Sequence, residues 1–294
     1  MLDIVKTLLV AIDPTPASQS ALQQALRLAA SMQARLVAVS VTPRYEGDMH
    51  RWKISDANEQ LSQPFEQCLR EAEKTAAAVG QALTTVHKMG DPSEMIINVA
   101  EEEEAGILLI GCPKRSYVER VLLGQTTAKI IGLSPCDVLM VPEGAEVGFS
   151  RILVGVDGSK YSMEAGQRAL DLALSYGGEV HAITVVDVPV DRALLYGVLD
   201  EARGKGFTSL KILADQGGKL GVPMVTELRE GSPYEIIDRY SEEHDIQLIV
   251  LGSYGSTAFA RILVGSVVER VAALSSRPIL VVKKLGNNGV RYLV

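Results

Sequence analysis

The chain has 294 residues, 47% of them apolar and 22% charged, a balance that suits well-packed domains and argues against a disordered chain. Its net charge of −7, with no basic cluster, argues against a nucleic-acid partner, which needs Lys and Arg massed on one face. No apolar run approaches the roughly 18 residues of a membrane span, and three widely spaced Cys without a CxxC suggest neither a zinc site nor a disulfide framework.

The chain opens on MLDIVKTLLVAIDPTP, whose Asp3 and Lys6 suit a first β-strand better than a signal peptide. A cytoplasmic protein with reduced thiols is expected. Short β-branched runs then alternate with helical periodicity, which predicts parallel α/β sheets. The first half predicts strands over Thr7–Ile12, Leu36–Val41, Leu83–His87, Ile107–Ile110 and Val138–Val141. The second predicts them over Ile152–Val156, Val180–Val186, Met224–Leu228, Leu248–Leu251 and Ile279–Val282. Thr15-Pro16 and Ser159 read as the starts of the first helix of each half, and Pro92 and Pro233 sit just inside later helices. The polar stretch 44–67, with the only Trp at position 52, reads as a flap or an interaction surface, and EEEE at 101–104 as a solvated helix end.

The two halves repeat one another. KTLLVAIDPTPASQSALQQALRLAA and RILVGVDGSKYSMEAGQRALDLA align so that Asp13 falls on Asp157 and Val41 on Val185, an offset of 144. GDPSEMIINVAEEEEAGILLIGC aligns with GSPYEIIDRYSEEHDIQLIVLGS at an offset of 141. A duplicated unit of about 145 residues follows. The expected domains are 1–143 and 150–294, joined at PEGAEVGFS. Acid is uneven between them: 13 Lys and Arg face 19 Asp and Glu in residues 1–147, but 16 face 17 in 148–294, so the second half repels an anion less.

Ligands of parallel sheets collect at the carboxyl ends of strands where connections diverge, and two sequence features follow strands in the second half. Asp157, in DGS, is either a turn and cap residue or a carboxylate beside a ribose or adenine edge. The run LGSYGSTAFARILVGS places Gly252, Gly255, Gly265 and Ser266 where a loop can curl its amides inward and a helix N-terminus can meet phosphate. Glycines needed only for turns and a helix start are the competing reading. It is neither a Walker A loop nor a dinucleotide fingerprint.

This pattern, GxxG, nine residues, then G[S/T], in a duplicated α/β unit whose first strand ends in Asp, resembles the universal stress protein family in its tandem form. The resemblance covers nearly the whole chain. It implies two doubly wound, Rossmann-like domains of five parallel strands each, packed as an intrachain pseudo-dimer through their last strands, with room for a further homodimer. In ATP-binding members the positions matched by Asp157 and Val185 lie by the nucleotide, and those matched by Gly252, Gly255, Gly265 and Ser266 bind phosphate. ATP, with Mg²⁺ on its phosphates, is therefore the expected ligand of the second domain.

The first half departs from the pattern. GCPKRSYVERVLLGQ keeps Gly111 and Gly124, but Lys114 replaces the second glycine and Gln125 the hydroxyl residue. Pro113 removes an amide and Lys114 adds a side chain where backbone should approach the ligand, so ATP binding is not expected there. His50, His87, His181 and His244 lack metal-ligand spacing and read as structural or exposed. No catalytic constellation and no metal site emerges, so at most weak ATPase activity is expected. The leading reading is a stress-response protein using bound ATP as a sensor or regulator; the alternative is a non-nucleotide, partner-binding or structural stress module with an unidentified protein partner.

Overall fold

The computed structural model describes residues 5–44, 57–113, 123–187, 197–253 and 264–283. They form two compact units that divide after Gly144. The first unit contains β1 (Thr7–Ala11), α1 (Pro16–Met32), β2 (Arg35–Pro43), α2 (Ala57–Ala78), β3 (Leu83–Gly90), α3 (Pro92–Glu102), β4 (Ile107–Cys112), α4 (Gln125–Leu133) and β5 (Asp137–Pro142). Its sheet order is β3-β2-β1-β4-β5, all parallel.

The second unit repeats this plan with β6 (Arg151–Gly155), α5 (Lys160–Tyr176), β7 (Glu179–Val186), α6 (Val198–Leu220), β8 (Met224–Glu230), α7 (Pro233–Glu243), β9 (Leu248–Gly252), α8 (Ser266–Leu274) and β10 (Ile279–Val282). Its order is β8-β7-β6-β9-β10, again all parallel. All ten expected strands are present, within a few residues of their sequence-predicted ends.

The central strands are buried on both faces, which explains their unbroken apolar runs. Leu8, Leu9, Val10, Leu108 and Leu109 in the first unit, and Ile152, Leu153, Val154, Ile249 and Val250 in the second, expose none of their surface. Truncating any such leucine or isoleucine to Ala would cost about 2–5 kcal/mol. Strand order reverses direction after β3 and after β8. Right-handed crossovers then put α1 and α2 on one face and α3 and α4 on the other, and likewise α5 and α6 against α7 and α8. The reversal opens a crevice at the carboxyl ends of β1 and β4, and of β6 and β9.

Helix starts follow local chemistry. Thr15 and Ser159 cap α1 and α5, their hydroxyls accepting from the Ser18 and Ser162 amides at 3.3 and 3.2 Å. Pro92 and Pro233 occupy the first position of α3 and α7. The expected flap does not extend through 67: residues from Ala57 onward form α2, which carries Pro64 within it, while 45–56 and Trp52 lie outside the described residues. Glu101 and Glu102 close α3, and Glu102 and Glu103 reach Lys88 and Arg35 respectively.

One close contact recurs in both units. A Cβ on Gly252, the last residue of β9, would sit 2.6 Å from the Tyr161 carbonyl carbon and 2.9 Å from the Ser162 nitrogen in the first turn of α5. On Gly111 of β4, it would meet the Ala17 carbonyl and the Ser18 nitrogen of α1. Backbone cannot yield as a side-chain tip can. Gly111→Ala and Gly252→Ala are each expected to destabilise their unit by at least about 2 kcal/mol in urea denaturation, independently of any ligand. Ser159→Ala should cost about 1 kcal/mol by the same measurement.

Candidate functional site

In the second unit the chain leaves β6 through Val156, whose amide donates to the Ile183 carbonyl of β7 at 2.9 Å and whose carbonyl accepts from Thr184 Oγ1 at 2.7 Å. Asp157 follows, exposed at the carboxyl edge of the sheet. Its Oδ1 accepts from the Ser159 amide at 3.0 Å, and its own amide donates to Ser162 Oγ at 3.2 Å. Gly158 between them takes φ +79°, and a Cβ there would stand 2.8 Å from Ser209 Oγ of α6. Glycine is therefore required by the turn, and a side chain there would also displace the Ser209 hydroxyl. The turn reading of Asp157 is realised locally, while the cap of α5 falls to Ser159.

Val185, near the end of β7, is half-buried. Alternation along the strand sets it on the face opposite Thr184 and Val186, and it pairs in register with Arg229 of β8. On the other side of β6, β9 ends in Gly252, and buried Ser253 donates its amide to the Val282 carbonyl of β10 at 3.1 Å. The Gly265 amide returns to the Ser253 carbonyl at 3.1 Å, pinning together the two ends of the intervening segment. Gly255 lies in that segment, outside the described residues.

Gly265 is the N-cap of α8, with φ −61° and no side chain to cap the helix. Its carbonyl accepts from the Glu269 amide at 3.0 Å, so the helix proper begins at exposed Ser266. The first-turn amides of Ser266, Val267 and Val268 have no intrahelical acceptor, and together with the positive end of the helix dipole they form a preset anion-facing surface. In contrast, α5 is capped by its own serine.

The structure thus sets Asp157, Val185, Gly252, Gly265 and Ser266 along the carboxyl edge of one sheet, flanking the β6/β9 switch point. It also separates their reasons. Gly252 is needed to seat α5, and Gly265 leaves α8 uncapped. Among the described residues no group of three His, Cys, Asp or Glu side chains is placed to hold a metal ion.

The family model "Universal stress protein family" matches residues 5–142 and again 148–283. The chain belongs to this family. Universal stress protein MJ0531 of Methanocaldococcus jannaschii is 37% identical over 144 residues, 46% of this chain and 83% of that protein. Universal stress protein Rv2623 of Mycobacterium tuberculosis is 26% identical over 314 residues, covering 94% of this chain and 96% of its own. A crystal structure of a universal stress protein from Archaeoglobus fulgidus covers 95% of this chain and 98% of its own, with a TM-score of 0.76 at 22% identity, a likeness of fold along the tandem chain.

The first universal stress unit has the same frame with a different edge. Asp13 Oδ1 accepts from the Thr15 amide at 3.2 Å and from the Thr15 hydroxyl, while Ser18 Oγ donates to the Asp13 carbonyl. Val41, the counterpart of Val185, is 5% exposed where Val185 is half-buried. Gln125 begins α4, and Lys114 lies outside the described residues. On the opposite face, β2 and β3 carry contacts that sequence reading missed: His87 Nε2 is 2.8 Å from Thr42 Oγ1, and Cys68 Sγ of α2 is 3.4 Å from Ser40 Oγ. Burial, chiefly, raises the Cys68 thiol pKa above the ordinary value. At the matching place in the second unit Gly206 of α6 comes down directly on Thr184 and Leu228.

His181 and His244 also have structural surroundings, away from the crevice edge. His181 Nδ1 is 2.9 Å from the Tyr240 hydroxyl, and the His244 ring stacks on Tyr240 with centroids 3.9 Å apart. Burial foremost pushes the Tyr240 hydroxyl up to about 12. Because the first unit differs at Val41 and in its Asp13 turn as well as in its loop, Lys114→Gly combined with Gln125→Ser should leave the number of ATP sites per chain unchanged in a calorimetric titration.

Proposed function

We propose that the second universal stress unit binds ATP in the β6/β9 crevice and that the chain acts as a nucleotide-dependent sensor or regulator in the cytoplasm. Asp157 and Val185 would flank the nucleoside, and Gly252, Gly255, Gly265 and Ser266 the phosphates, with Mg²⁺ carried on the phosphates. The functional units would run over 1–143 and 150–294. The observation that carries this reading is α8, whose glycine cap leaves its first-turn amides facing the same sheet edge as Asp157.

A sensor needs only that ATP bind one conformation more tightly than another. Phosphoryl transfer demands positioning plus charge neutralisation, and the sequence carries no recognisable catalytic constellation to speed it. At most slow hydrolysis is proposed.

One observation favours the alternative of a partner-binding stress module without nucleotide. Gly252 has a packing reason for being glycine, as does Gly111 in the unit whose loop has diverged, so that glycine would persist in an unoccupied site. The two readings part in a calorimetric titration of nucleotide-stripped protein with ATP and Mg²⁺. One site per chain, lost in Gly255→Val with the fold intact, is expected. Two sites would overturn the asymmetry, and no heat up to millimolar ATP would leave the partner-binding module.

A further inference from the structure

Arg270 stands one turn inside α8, beyond Ser266, and a helical side chain leans back toward the helix N-terminus. Its guanidinium carbon lies 4.7 Å from the centroid of the Tyr234 ring, in the first turn of α7. Among the described residues no carboxylate lies within ion-pair reach of it. A cation so near a helix N-terminus opposes the dipole and gains nothing for the helix itself. The aromatic face holds it in place without neutralising it.

The first unit resolves the same positions differently. Lys129, the counterpart of Arg270 at the 141-residue offset, reaches Asp91 Oδ2 at 3.5 Å. Asp91 is the N-cap of α3 and the counterpart of Ser232. The Ser93 hydroxyl and then the Glu94 amide, with Lys129, hold its carboxyl below the ordinary carboxylate range, so it stays ionised and cancels the lysine. The unit with the degenerate loop has a neutralised ammonium. The unit with the complete loop has there a planar, five-donor cation with no carboxylate in ion-pair reach among the described residues.

We propose that Arg270, held on the Tyr234 ring, sets the affinity of the second unit for the charged tail of its nucleotide and leaves base recognition untouched. This inference rests on the nucleotide reading above. A guanidinium recognises phosphate oxygens through paired donors, and the ring contact gives it a defined starting place on a residue one turn along α8 from its uncapped amides. Tyr234 is accordingly a positioning residue.

The test compares ATP with adenosine, by calorimetry on the full chain, for the unaltered protein, Arg270→Gln, Tyr234→Ala and Tyr234→Phe. Arg270→Gln is expected to weaken ATP about tenfold and adenosine less than about twofold, with the loss shrinking as salt is raised. Tyr234→Ala should fall between, and Tyr234→Phe, which keeps the ring, should match the unaltered chain. Equal losses for ATP and adenosine would make the pair merely structural and overturn the inference, as would unchanged ATP affinity in Arg270→Gln. If the unaltered chain binds no ATP, the nucleotide reading falls and takes this inference with it; if it binds ATP without the split, only this inference falls.

Discussion

The absence of one β-carbon at the end of the fourth strand governs how each unit is assembled. The first helix lies with its opening turn directly against Gly111 or Gly252, at a separation that no other residue permits. That contact fixes where the helix begins, and hence where the turn carrying Asp13 or Asp157 faces the neighbouring strand. The crevice at the switch point is a consequence of this seating. Everything proposed about ligand binding presupposes it.

On that shared frame the two units have diverged in the details that face solvent at the sheet edge. The second has Gly158 in a left-handed turn under α6, a half-exposed Val185, an uncapped α8 and an arginine resting on a ring. The first has Pro14 in the same turn, a shut Val41, and a lysine cancelled by a helix-capping aspartate. None of these differences changes a residue of the buried strands: Val41 and Val185 are the same residue in different surroundings. The fold can therefore tolerate one occupied and one silent unit at little cost, since core packing and site chemistry draw on separate residues.

Much of the fold was legible because parallel strands buried on both faces read as unbroken apolar runs, and because Thr15, Ser159, Pro92 and Pro233 mark helix starts by plain local chemistry. Edge strands were read less completely: β3 runs on to Gly90 and β8 to Glu230, where half-exposed polar residues hide the pattern while pairing with β2 and β7 continues. The helical second part of 44–67 was missed because Pro64 and a polar sequence mask its period. At the site, spacing found the glycines but could not distinguish their duties. That Gly252 seats a helix, or that Arg270 meets Tyr234 from another helix, depends on contacts between segments far apart in sequence, which no local pattern encodes.

The central claim is that one unit of the pair, the second, takes the nucleotide at its sheet edge. Amide hydrogen exchange with and without saturating Mg²⁺ and ATP addresses it directly, because a ligand slows exchange where it orders or shields backbone donors. Added protection is expected at Ser266–Val268 and in the turn Val156–Ser159, with the equivalent turn Ile12–Thr15 and the start of α4 unchanged. Equal protection in both units, or protection in the first alone, would contradict it.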